Sequence, residues 1–219
     1  MTNSPLRFIS QFLVAVIWLF SMPLQGADSI LAPLADGFDA PVGKPSGVGY
    51  YKARGLRLRP PYHFGEDWNG VGGGDSDLGA PVYACADGII VFSYDVRGGW
   101  GNVIIIRHAY RDPATRNVKF VDSLYGHLDK RMGRMGQEVK RGQQVGTIGN
   151  NYGMYPAHLH FEIRHDITIG MHRESVACTL DHWAVPTDFI NKNRRLNKEF
   201  TKQAMPIGTF KPYGEFKGL

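Results

Sequence analysis

The apolar residues of this chain come in short runs, and nearly every run is closed by a turn former. Pro81-Val-Tyr-Ala-Cys-Ala86 stops at Asp87-Gly88, and Ile89 to Tyr94 stops before Gly98-Gly-Trp-Gly101. Val103-Ile-Ile-Ile106, Val121 to Leu128, Gln137 to Lys140, Gln144 to Ile148 and His158 to Arg164 continue the series. Runs of about four to eight residues, rich in β-branched and aromatic side chains and bounded by Gly, Asn or Asp, are the mark of strands. An amphipathic helix needs a longer stretch at 3.6-residue spacing, and that spacing is missing here. The 27 Gly and 13 Pro agree, being too many interruptions for a helix bundle. With no αβ alternation and no internal repeat, the expected fold class is all-β with minor helix. It is read as a small antiparallel β-sheet or sandwich core. Val103 to Ile106 reads as buried on both faces, and Ala184 to Ile190 as a short helix or closing segment.

The ends of the chain differ from its body. Residues 1–27 have the form of an export signal. Arg7 is their one charge, Phe8 to Phe20 is the apolar stretch, and Met22 to Ala27 supplies a helix break and small residues. The apolar stretch is short for a membrane span of ~20 residues. A cleaved signal or an uncleaved anchor both place the chain outside the cytoplasm, in the periplasm, the cell envelope or the extracellular space. No Cys follows the apolar run, so a lipid anchor is not expected. Cys85 and Cys178 leave either a disulfide or two buried thiols open. Residues 28–60 read as a lead-in that packs on a domain spanning 61–190. The stretch 191–219 reads as a polar, basic, loosely held C-terminal tail.

The net charge of +5 and pI of about 9.2 raise the question of a nucleic-acid partner. Residues 191–219 hold seven Lys/Arg against two Asp/Glu, while the preceding 190 residues balance at eighteen of each. The body carries no basic stripe, so no nucleic-acid partner is expected.

Three segments concentrate histidine and carboxylate. His63-Phe-Gly-Glu-Asp67 places two candidate metal ligands four residues apart. Pro60, Pro61 and Gly65 make a helix unfavourable there, leaving an extended or turning segment to bring them together. His158-Leu-His160 on a strand points both imidazoles to one face, with Glu162 beside them as a supporting partner. Leu159, Phe161 and Ile163 then face the core. His127, in Ser123-Leu-Tyr-Gly-His-Leu128, falls near a strand end. Glu66 is expected to point away from the ligand pair, and His108, His165, His172 and His182 to be structural or on the surface. Asp75 and Asp77 lack the full ligand series of a Ca²⁺ loop.

In this order the segments resemble the lysostaphin-type (LytM-type) zinc metallopeptidases, which cut peptidoglycan peptides. The matching pieces are His63–Asp67, Gly79–Gly88, Gly101–His108, Leu124–Leu128, Val139–Gly146 and His158–Ile163, covering roughly residues 60–165. The resemblance implies a substrate groove across the β core and a Zn²⁺ held by His63, Asp67 and His160. His127 and His158 then match the two unliganded catalytic histidines, either of which can serve as base. It implies an exported zinc-dependent endopeptidase for peptide bonds in peptidoglycan stem peptides or cross-links. The alternative is a non-catalytic cell-wall binding or amidase-activating module of the same fold. With peptidoglycan as partner, the basic tail becomes a candidate for weak contact with anionic wall polymer or a membrane surface. The chain departs from the family in Gly72 to Asp77, in the loop Tyr152 to Ala157, and in an insertion from Asp166 to His182.

Overall fold

The computed structural model describes residues 28–173 and 176–210. The expected export signal lies outside the described residues, as do residues 174–175 and the last nine. Among the described residues, twelve strands and one short α-helix follow in order, with a π-helical turn at Gly43–Gly47 between the first two strands. They are β1 (Ser29–Pro33), β2 (Tyr50–Arg54), β3 (Glu66–Gly70), β4 (Pro81–Tyr83), β5 (Gly88–Asp95) and β6 (Asn102–Arg111). Then come β7 (Val118–Arg131), β8 (Glu138–Val139), β9 (Gln144–Ile148), β10 (Leu159–Arg164), β11 (Trp183–Ala184), α1 (Pro186–Lys192) and β12 (Lys202–Pro206). The main sheet runs β2-β3-β10-β7-β6-β5-β8, with β11 beside β10 and the β4–β9 pair beside β7. Its neighbours pair antiparallel. The all-β class read from the turn spacing is the class observed.

Alternation along the central strands makes a core on each face of the sheet. Ile104 and Ile106 join Tyr125, Leu159, Phe161, Ile163 and Phe189 in the largest cluster. Val103 and Ile105 point the other way, against Leu124 and Met171. A third layer under β10 contains Phe64, Ile169 and Trp183. The helix α1 begins on Pro186, whose missing N–H costs nothing at a helix start, and buries Phe189 and Ile190.

The lead-in is built into the domain. Phe38, Ala40 and Val42 are buried in the largest cluster, and β2 is a strand of the main sheet. The tail expectation is overturned in its described part. β12 pairs with β1 through five residues, Met205 is fully buried, and Glu199 holds Arg111 through two bonds of 2.5 and 2.8 Å. The polar sequence hid this because in β12 the single fully buried contact is Met205, opposite Ile30 at the far end of the chain. The cysteines are free thiols, Cys85 in the largest cluster and Cys178 against the layer containing Trp183.

His108 is structural, as expected. It is fully buried, its Nδ1 donates to Asp87 O at 2.9 Å, and its Nε2 accepts from Ser123 Oγ at 2.7 Å. Burial pushes this imidazole down to about 4. The unfolded chain takes up a proton near pH 6.5 while the native chain stays neutral. The stability that His108 contributes is therefore full above 6.5 and declines as pH falls towards 4, by up to ~3 kcal/mol. Urea midpoints between pH 7 and 4.5 are expected to fall less steeply in His108→Gln than in the parent. Parallel slopes would remove His108 as a cause.

Candidate metal centre

The site begins with strand register. His160 on β10 lies directly opposite Asp67 on β3, so their side chains are neighbours on one face. On its other side His160 lies opposite Gly126 of β7, and His127 follows. His127 lies inside β7 rather than at its end, and its φ of 58°, a left-handed conformation, falls where the pairing with β6 shifts register. His63 precedes β3, fixed by reciprocal backbone bonds with Arg57 of 2.6 and 2.9 Å.

Three ligand atoms converge. Asp67 Oδ1 is 2.9 Å from His63 Nε2 and 2.9 Å from His160 Nδ1, and the two nitrogens are 3.1 Å apart. Each imidazole has an acceptor for its other nitrogen. His63 Nδ1 donates to Gly55 O at 2.9 Å, and His160 Nε2 donates to Glu162 Oε1 at 2.9 Å. In those neutral tautomers, two nitrogen lone pairs and a carboxylate oxygen face one point with no proton between them. Such a cluster needs a cation, and a buried His₂Asp set with supported imidazoles fits Zn²⁺. When the facing nitrogens carry protons instead, burial opposes ionisation of Asp67, but the hydrogen bonds they donate from His160 and His63 outweigh it and hold the carboxyl far below its usual range.

Glu162 behaves as the sequence reading expected. It is fully buried, and its Oε2 accepts from Arg164 Nε at 2.7 Å and Trp183 Nε1 at 3.2 Å. Burial works against its charge, but Arg164 and His160 together keep the carboxyl well below the usual carboxylate range. A fixed anion therefore orients His160. Arg164, Trp183 and the Gly55 carbonyl were not singled out in the sequence. Nothing local marks a backbone carbonyl, although Arg164 shares the strand face of Glu162.

The other two histidines stand beside the ligand cluster. His158 Nε2 is 3.8 Å from Asp67 Oδ1, while its Nδ1 donates to Pro156 O at 2.7 Å. His127 Nδ1 donates to Trp100 O at 3.1 Å, and its ring lies 4.9 Å from that of His158 and 5.6 Å from that of His160. Burial, then the neighbouring His160 and His158, push His127 down to about 3, so it stays neutral in mild acid. Tyr155 adds a ring 5.1 Å from His127. Its loop, through Asn151 to Met154, lines an open cleft with Asp95, Arg97 and Gly98.

The remaining candidates lie elsewhere. Glu66 accepts from Thr187 Oγ1 at 2.7 Å, pointing away as expected. Asp75 Oδ1 accepts from Ala157 N at 2.7 Å and Asp77 Oδ2 from Gly70 N at 2.8 Å. These carboxylates pin the glycine-rich loop beside His158 and do not assemble a Ca²⁺ site. His165 packs on Phe189, and His182 pairs with Asp166 at 2.9 Å.

Residues 63–174 match the sequence profile of peptidase family M23. The chain belongs to peptidase family M23. That family assignment takes in all five residues of the site. Among curated relatives, the lipoprotein NlpD of Yersinia enterocolitica is 39% identical over 87 residues, 40% of this chain and 79% of that protein. The murein hydrolase activator NlpD of Escherichia coli K12 is 39% identical over 87 residues, 40% of this chain and 20% of its own length. The DD-carboxypeptidase/endopeptidase Mpg of Neisseria meningitidis serogroup B is 34% identical over 110 residues, 50% of this chain and 23% of its own. This M23 chain thus spans most of the Yersinia relative but only about a fifth of the other two.

Proposed function

We propose that this chain is an exported, zinc-dependent endopeptidase that hydrolyses peptide bonds in peptidoglycan stem peptides or cross-links. The observation that supports it is the meeting of His63, Asp67 and His160 as a ligand set with His127 and His158 on the same face. His63, Asp67 and His160 would hold Zn²⁺, which when bound lowers the pKa of a water from 15.7 to about 7 and polarises the substrate carbonyl. The chain's own groups supply the rest. With Nδ1 donating to Pro156 O, neutral His158 presents Nε2 as an acceptor beside Asp67. It takes the proton of the attacking water and returns it to the leaving amine. With Nδ1 donating to Trp100 O, neutral His127 is also an acceptor at Nε2. It therefore orients the same water; donation to a developing oxyanion would require prior protonation.

The substrate reading rests on kinship. Two of the relatives are named for murein hydrolase activation and for DD-carboxypeptidase and endopeptidase activity. Export is the reading of residues 1–27, and among the described residues no helix is long and apolar enough to cross a membrane. The activator name also supports the second reading, a wall-binding or amidase-activating module. Mass spectrometry of defined muropeptides after incubation separates the two. A peptidase leaves fragments with a new amine and a new carboxyl from one peptide bond. An activator leaves the muropeptides intact and releases stem peptides only when an amidase is added.

A further inference from the structure

We infer that Arg173 is the specificity residue of this site, reading a carboxylate on the peptide next to the scissile bond. Arg173 belongs to the insertion between β10 and β11, one of the places where the chain departs from the family pattern. Its guanidinium carbon lies 4.7 Å from the Trp100 ring centroid and 5.0 Å from that of Phe64. Each ring neighbours a residue of the metal site, and Phe64 itself packs on Trp183 with ring centroids 4.6 Å apart. Phe64 follows ligand His63 in sequence. Trp100 packs edge-on to His160 at 5.5 Å, and its carbonyl accepts from His127.

Two aromatic faces attract a guanidinium and also fix its plane. Its N–H donors then lie along the edges of that plane, in the fork that matches a carboxylate. Other arginines of this region already face carboxylates. Arg54 Nη1 is 3.7 Å from Asp67 Oδ2, Arg164 bonds Glu162, and Arg107 bonds Asp122 through two contacts of 2.7 Å. Among the described residues no carboxylate pairs with Arg173. A pre-oriented cation beside the reacting centre, without a matching carboxylate among the described residues, is suited to an anion that arrives with the substrate. Little side-chain freedom is left to lose when it binds.

This inference rests on the endopeptidase reading, and the test separates the two. The probes are two synthetic cross-linked stem-peptide dimers, identical except that the residue after the scissile amide carries a free α-carboxylate or a carboxamide. Zinc-loaded full chain is expected to favour the carboxylate form by at least about tenfold in kcat/KM, the range of a charge-assisted hydrogen bond. Arg173→Gln brings that ratio close to one, and Arg173→Lys, which keeps charge but not the fork, leaves an intermediate ratio. A parent ratio near one, or an unchanged ratio in either variant, overturns the assignment. Arg173→Lys carries the test if Arg173→Gln does not fold. If the parent cleaves neither dimer, the endopeptidase reading fails, and calorimetric Kd values for the same pair decide on Arg173. A carboxylate preference lost in the variants supports it, and equal binding of the pair overturns it.

Discussion

Replacing His160 by Ala is expected to abolish zinc binding and hydrolysis together. His160 Nδ1 is one of three donors, each within 3.1 Å of the other two, and removing it leaves only His63 and Asp67. Loss of a supporting partner already costs metal sites about 10- to 100-fold in affinity, so loss of a ligand should exceed that range. The fold should survive, because Glu162 keeps Arg164 and Trp183 as donors. Elemental analysis after dialysis, read beside circular dichroism, checks this. A folded His160→Ala protein that retains one zinc per chain would show that the ligand set is wrong.

Replacing His158 by Ala should separate the two properties. Its Nε2 stands 3.8 Å from Asp67 Oδ1, near the ligand cluster but outside the tight triangle of donors. Zinc content should remain near one per chain while kcat falls about 10²- to 10⁴-fold, the usual contribution of a positioned base. Single-turnover hydrolysis of a stem-peptide dimer is the readout. Parent-like turnover in the variant would move the base to His127.

The sheet was legible wherever local chemistry sets a strand. Ile89 to Tyr94 and Val103 to Ile106 are apolar, largely β-branched runs on either side of the Gly98–Gly101 turn, and they are strands in the fold. Their side chains alternate between the cores on the two faces of the sheet, as the period of two requires. β3 was legible only as an extended or turning segment, because Glu66-Asp-Trp-Asn-Gly70 is polar where the site uses it. β1 and β12 were not legible. Ser29-Ile-Leu-Ala-Pro33 and Lys202-Gln-Ala-Met-Pro206 are ordinary in isolation and become strands through each other.

The site divides in the same way. His63, Asp67, His158 and His160 sit in short spacings that strand geometry brings together, and His127 joins them through the ordered resemblance. The groups that orient them come from distant segments. The Gly55 carbonyl sets the His63 tautomer, the Trp100 carbonyl sets His127, and Trp183 braces Glu162. Arg173 was hidden for another reason, since its placement depends on the insertion folding back over Phe64 and Trp100.

The most direct measurement of the central claim is digestion of purified peptidoglycan sacculi by the full chain. Three conditions suffice: zinc-loaded, stripped with a chelator, and stripped then reloaded with zinc. The predicted result is release of peptide-cleaved fragments in the first, none in the second and recovery in the third. A chain that binds one zinc yet releases nothing, or that digests equally well with the metal removed, would contradict the account.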